Sequence, residues 1–225
     1  RLEDEDQTRK FKKENIRQTL YDQEGNKVVE FEAGKIRHEL RNVKLWSVDH
    51  PALYVLETKL MEDGELLDVH HVRIGIRTVV YKQDGLYLNG NKYKFRGLNR
   101  HQSYPYVGYA MPKSMQREDA KVLKYELGLN AVRTSHYPQS HHFLDCCDEI
   151  GLLVFTEIPG WQHIGDEEWK EQAVKNTEEM VLQYRNHPSI FLWGVRINES
   201  TDDDELYTKT NKVAHELDST RQTSG

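Results

Sequence analysis

The spacing of apolar and polar positions changes once along this chain. Between residues 16 and 81 apolar residues come in short runs broken by turn formers. Ile16 to Tyr21 leads into Glu24-Gly25-Asn26, Val28-Val29-Glu30-Phe31 follows, and later runs lie at 53–56 and 72–80. Such runs predict strands of a β-sandwich. About five strands are readable, against roughly seven in an immunoglobulin-like sandwich, so the first part of that domain is expected to be missing. A hairpin is predicted next: Leu86-Tyr87-Leu88, the turn Asn89-Gly90, then Tyr93-Lys94-Phe95. Asn-Gly tolerates the positive φ that a tight turn needs.

From residue 95 the pattern becomes strand–helix alternation. Candidate strands lie at 95–99, 131–135, 152–156 and 190–196. Helical spacing appears at 114–127 through Leu123 and Leu127, and at 141–150 through Phe143, Cys147 and Ile150. It recurs at 167–184 through Trp169, Ala173, Met180 and Tyr184, and at 203–217 through Leu206, Thr210, Val213 and Leu217. Asp202 with Glu205 three residues on predicts a capping box. Repeated βα units imply a parallel sheet, and Arg221-Gln222-Thr223 could begin a fifth strand. A complete (β/α)₈ barrel takes about 250 residues. The expected fold is therefore an incomplete immunoglobulin-like β-sandwich over 1–80, followed by the N-terminal half of a TIM barrel over 81–225. Half a barrel exposes parallel edges and one sheet face. A trimmed chain is expected, completed by the rest of the barrel, another polypeptide or a homo-oligomer.

Composition narrows the function. The 225 residues carry a net charge of −6, with no Lys/Arg stripe interleaved with aromatics, so nucleic acid is not an expected partner. No apolar run approaches the roughly 20 residues that span a bilayer, and no membrane partner is expected. The charged segment 1–13 does not read as a signal peptide, and any signal would precede Arg1; the location stays open, with the cytoplasm expected ahead of secretion. Cys146 and Cys147 are adjacent and poorly placed to bridge each other. They read as core packing, and no Cys/His set suggests zinc.

In a βα barrel the working groups stand at the carboxyl ends of strands. Those ends here carry Asn99-Arg100-His101, Arg133-Thr134-Ser135-His136-Tyr137-Pro138, Thr156-Glu157-Ile158-Pro159 and Arg196-Ile197-Asn198-Glu199. Polar groups brought to one rim suit a hydroxyl-rich ligand, so carbohydrate is the expected partner. Glu199 is the candidate proton donor. A glycosidase needs a carboxylic acid to protonate the departing oxygen, and a retaining one needs a second carboxylate about 5–5.5 Å away as nucleophile. That negative neighbour raises the acid's pKa. Read alone, Glu199 is better taken as a solvated helix-start carboxylate.

The ordered motifs decide between them. Arg96-Gly97-Leu98-Asn99-Arg100-His101, then Asn130 to Pro138, then Cys147-Asp148-Glu149-Ile150-Gly151-Leu152, then Asn186-His187-Pro188-Ser189-Ile190, then Trp193 to Ser200 occur in that sequence. The chain resembles the second glycoside hydrolase family, which holds β-galactosidases, β-glucuronidases and β-mannosidases. Trp46-Ser47, Pro51-Ala52-Leu53-Tyr54 and Gly75-Ile76-Arg77 resemble that family's immunoglobulin-like domain. The resemblance implies that Glu199 is the general acid/base and that Asn198 contacts the sugar 2-hydroxyl. It implies that His101 and His136 line the sugar subsite, that Arg133 lies near the nucleophile, and that Glu157 is a rim carboxylate. The nucleophile falls beyond this chain, so the fragment is expected to be inactive alone. Arg100 to Pro105 leans toward β-galactosidases, with β-glucuronides as the alternative substrate.

Two features depart from the family pattern. Val195-Arg196-Ile197 stands where most members read Ser-x-Gly before Asn-Glu. Gly160-Trp161-Gln162-His163 occupies the place of a Glu-x-His pair found in magnesium-binding relatives, so neither a metal nor any cofactor is expected. Other readings stay open. Arg133 could be only an ion-pair partner for Glu157, and Trp161 either a sugar-stacking platform or loop packing. His141 and His142 read as helix surface, and Asp202 to Asp204 as a solvated helix start. A non-catalytic carbohydrate-binding or scaffold piece is the alternative function.

Overall fold

The computed structural model describes residues 12–31 and 38–224. The chain forms two compact units: Arg1–Lys44 with Leu53–Ile74, and Leu45–Ala52 with Gly75–Gly225.

The first unit is a four-stranded antiparallel sheet of the β-sandwich type. Its strands are β1 (Ile16–Tyr21), β2 (Lys27–Phe31), β3 (Tyr54–Glu62) and β4 (Glu65–Ile74), ordered β2-β1-β3-β4. The β1–β2 turn is set by Asp22, whose Oδ1 accepts from the Glu24 and Asn26 amides at 3.0 and 2.8 Å. Leu20, Tyr54 and Leu60 are buried, while most of β4 is exposed. The β3–β4 hairpin turns at Asp63-Gly64, both at positive φ.

The apolar run expected at 72–80 is not one strand. β4 ends at Ile74 and the chain resumes as β5 (Val79–Lys82). Between them Arg77 leaves the sheet and gives its guanidinium to the carbonyls of Pro188 and Ile190. Half-buried, its guanidinium is desolvated and faces Arg221, and its pKa is pushed down to about 9. Trp46 also belongs to this second unit. Its indole is fully buried and donates to the Asp148 carbonyl at 2.8 Å.

The second unit continues with β6 (Gly85–Leu88) and β7 (Asn91–Tyr93), a hairpin turning at Asn89-Gly90 with φ of 50° and 81°. Then come β8 (Gly97–Arg100), α1 (Lys113–Lys121), β9 (Ala131–Thr134), α2 (His141–Ile150), β10 (Leu153–Glu157), α3 (Glu167–Tyr184), β11 (Ile190–Gly194), α4 (Asp204–Leu217) and β12 (Gln222–Ser224). β8 to β12 form a parallel sheet in sequential order, the arrangement of a partial TIM barrel.

Local chemistry sets the ends of these elements. α2 is capped by Ser140, which accepts from the His142 amide, and stops at Gly151 in the left-handed region. α3 is capped by Asp166. α4 is capped by Asp203, whose side chain accepts from the Leu206 amide, and not by Asp202 as the sequence suggests. Asp202 pairs instead with Arg196 at 2.6 Å, and Glu205 with Lys209 at 2.6 Å. The helix expected over 114–127 is regular only to Lys121 and ends in a π-helical turn, Val122–Glu126. β8 starts two residues late because Asn130 caps that edge, its Oδ1 accepting from the Arg96 amide.

The core lies between sheet and helices. Val132, Val154 and Trp193 pack against Phe143, Leu144, Cys147, Met180, Val181 and Leu206. Both cysteines are buried and neither is in a disulfide, and Met180 and Tyr184 are core while Trp169 is half-buried against it. His141 and His142 are exposed. The opposite sheet face carries Asn99, Arg133, Phe155 and Leu192 in register and borders a cavity of about 440 Å³. No helix among the described residues is long and apolar enough to cross a membrane.

Asp145, Asp148 and His187 bring potential ligand atoms within 4.8 Å of one another. Asp148 spends both its oxygens on strand anchoring. Oδ2 accepts from His187 Nδ1 at 2.6 Å, and Oδ1 accepts from the Ser189 amide and hydroxyl at 3.0 and 2.5 Å. This fixes the entry to β11 against α2.

Candidate active site

The carboxyl ends of β9, β10 and β11 carry one connected polar network. Glu157, the last residue of β10, is only 3% exposed and is the hub. Its Oε1 accepts from Arg133 Nε at 2.6 Å, and its Oε2 lies 2.9 Å from His136 Nδ1. An ionised carboxylate only accepts, so His136 Nδ1 carries the proton in that contact. Gly194, level with Glu157 on β11, makes room for it. A Cβ there would stand 2.6 Å from Glu157 Cγ.

Arg133 reaches the other way to Asn198, donating to its Oδ1 at 2.7 Å. The loop after β10 closes the ring. Gln162 donates its amide to the Asn198 carbonyl at 2.7 Å, and Trp161 pairs with Asn198 as an isolated bridge. Glu199 follows at φ 56° with an exposed carboxylate. Its Oε2 accepts from Trp161 Nε1 at 2.9 Å and from Gln162 Nε2 at 2.8 Å. The Trp161 bond, then the Gln162 bond, hold the carboxyl below the usual range. The raised pKa expected of a glycosidase acid is therefore not present in this set of residues. It requires the further carboxylate that the proposed mechanism calls for.

Of the residues selected from sequence, His136, Arg133, Glu157, Asn198, Glu199 and Trp161 are joined in this network. His101 stands at its margin, its ring edge-on to His136 with centroids 5.6 Å apart. Arg133 does pair with Glu157, but its bond to Asn198 makes it more than an ion-pair partner. Trp161 is 62% exposed, with its indole N–H turned to Glu199. Glu157 lies under the rim, not on it, with its two oxygens turned to Arg133 and His136. Gln162 was not selected. Its amide reaches Glu199 only because the backbone there adopts φ 62°, which no residue pattern announces. Arg133, Phe155, Glu157, Gly194, Asn198 and Glu199 line a cavity of about 210 Å³.

A parallel βα sheet with a polar rim at its carboxyl end is the framework of a TIM-barrel domain. The chain belongs to glycosyl hydrolase family 2. The family's TIM barrel domain matches residues 79–224, and a second domain described as glycosyl hydrolases family 2 matches residues 1–77. A β-galactosidase of Thermoanaerobacterium thermosulfurigenes is 61% identical over 186 residues, covering 83% of this chain and 26% of that protein. A β-galactosidase of Thermoanaerobacter pseudethanolicus is 60% identical over 188 residues, covering 83% of this chain and 25% of that protein. Among solved structures, a β-glucuronidase from Ruminococcus gnavus in complex with D-glucuronic acid superposes with a TM-score of 0.87. It is 28% identical, with 93% of this chain and 37% of that chain covered. The chain thus spans about a quarter of the length of the curated relatives it matches.

Proposed function

We propose that the protein containing this chain is a retaining β-glycosidase that prefers β-galactosides, with Glu199 as general acid/base. One observation carries the reading: Glu199 stands exposed after β11, directly following an Asn198 whose side chain Arg133 holds fixed. In the first step Glu199 gives its proton to the glycosidic oxygen as the bond to C1 breaks. The bonding pair leaves with the aglycone, and a nucleophilic carboxylate joins C1. In the second step Glu199 takes a proton from water, whose oxygen attacks C1 and releases the nucleophile. Asn198, with Oδ1 occupied by Arg133, turns its NH₂ toward the Glu199 side of the site, where it can also meet a sugar hydroxyl. His136 and His101 border the same subsite, and the exposed Trp161 ring offers a face to a pyranoside.

The galactoside preference rests on the two relatives of about 60% identity, both β-galactosidases. The structural likeness to a β-glucuronidase keeps β-glucuronides as the alternative substrate. A carbohydrate-binding role without catalysis has one observation in its favour. The other carboxylate lining the cavity, Glu157, is buried with both oxygens engaged by Arg133 and His136, so it is not presented to a sugar as a nucleophile. The nucleophile is assigned to a strand beyond residue 225, and the chain alone is expected not to turn over chromogenic β-galactosides.

The test is Glu199→Gln in the full-length protein. Hydrolysis of alkyl or sugar leaving groups should fall by about 10³-fold or more, and that of activated aryl leaving groups much less. Equal loss on both series would remove Glu199 from the acid role. A full-length protein that binds β-galactosides without hydrolysing them would establish the non-catalytic reading.

A further inference from the structure

Two N–H groups from one loop converge on a single oxygen of Glu199. Trp161 Nε1 lies 2.9 Å and Gln162 Nε2 2.8 Å from Oε2, and neither touches Oε1. We infer that Trp161 and Gln162 are positioning residues for the acid: by filling both lone-pair positions of Oε2 they make Oε1 the oxygen that carries and delivers the proton. The inference rests on the reading of Glu199 as the acid.

A carboxylate oxygen offers about two acceptor positions, so a proton cannot share Oε2 with two donors. The donors are themselves fixed. The loop that bears them is tied to the β11 end by Gln162 N to Asn198 O at 2.7 Å. It is tied to the β9 end by Gly160 N to His136 O at 3.3 Å. The orientation of the carboxylate is therefore set by a neighbouring strand's loop, and Oε1 is left to face the substrate.

The same donors favour the ionised form. Other groups facing Glu199 are fewer. Asn198 and His136 pull in the same direction more weakly, and burial opposes them. Across the site, Arg133 and Glu157 satisfy each other. On its own loop Arg196 is held by Asp202. In the loop after β10, His163 meets the Trp169 ring edge-on, with centroids 6.0 Å apart. Removing either donor should raise the acid's pKa and let the proton wander to Oε2.

The test uses Trp161→Phe, which keeps the ring, and Gln162→Leu, which keeps the bulk, in the full-length protein. The basic limb of kcat/KM against pH should move up by about 0.5–1 unit in each variant, and further in the double variant. In Gln162→Leu, kcat/KM on poor leaving groups should fall about tenfold below that limb, with activated aryl glycosides little affected. A ¹³C-labelled Glu199 carboxyl titrates upward in parallel. A loss that is merely structural would lower activity at all pH values alike without moving the limb. If the limb and the carboxyl titration stay fixed in both variants while Glu199→Gln abolishes the limb, the inference falls and the acid assignment stands. If Glu199→Gln leaves the limb in place, the acid assignment itself fails. Both side chains are exposed, so Gln162→Leu carries the test by itself should the Trp161 variant not fold.

Discussion

Arg133 holds Asn198 by a 2.7 Å bond from its guanidinium to Oδ1, while its Nε stays 2.6 Å from the buried Glu157. One planar group thus sets the amide beside the acid and neutralises the carboxylate beneath it. Lysine offers a point charge that cannot serve both partners in one geometry. Arg133→Lys is expected to lower kcat/KM of the full-length protein by about 100-fold, near 3 kcal/mol of transition-state stabilisation. It should also cost about 1–3 kcal/mol of stability, because Glu157 loses part of its pairing. Steady-state kinetics and urea unfolding check the two figures, and unchanged kcat/KM would free Asn198 from dependence on Arg133.

How much of this was legible in the sequence depends on where the determining contact sits. The bounds expected for α2 and α3 match the structure because an apolar face at helical spacing is a local signal, and the caps Ser140 and Asp166 and the stop at Gly151 lie in the same few residues. The acidic run before α4 puts Asp202 and Asp203 side by side; in the structure Asp203 caps the helix while Asp202 pairs with Arg196. The break at 75–78 was hidden for a different reason. Val72 to Val80 reads as one strand, and what interrupts it is a contact between Arg77 and carbonyls more than a hundred residues on. The site shows the same division. Residues at strand ends declared themselves, whereas Gln162 depends on a backbone angle inside a loop.

Gly151 closes α2 at φ 74° and sits directly against the segment that carries Trp46. A Cβ at this position would stand 2.2 Å from the Val48 carbonyl oxygen. Gly151→Ala therefore meets two costs, a left-handed backbone without glycine and a displaced backbone neighbour. The expected loss is about 2–4 kcal/mol. Gly25 is the control. It has φ 82°, but nothing lies within 4 Å of its added Cβ, so Gly25→Ala should cost about 1 kcal/mol. Denaturant midpoints of the two variants should differ accordingly, and equal midpoints would show that Val48 yields freely.

Asp218 gives the fold an acid-sensitive joint. Burial by itself would raise its pKa, but Arg221, 2.5 Å away, outweighs that, helped by Thr220, and holds the carboxyl down to about 2. The same carboxylate accepts from the Trp193 indole at 3.0 Å, and Arg221 continues to the Ile190 and His187 carbonyls, clamping the entry to β11. The folded-state value lies below the unfolded one near 3.9, so the ionised pair stabilises the fold fully above pH 4. That contribution fades as pH falls toward 2. After allowance for solvent screening it amounts to about 1–2 kcal/mol. Asp218→Asn should lose this amount at pH 7, with the gap to the unmodified protein narrowing from pH 4 downward and closing near pH 2. Urea unfolding of both proteins at pH 7, 4, 3 and 2 measures it. A gap that stays constant across that range would mean that the loss in the variant comes from packing and not from the charge on Asp218.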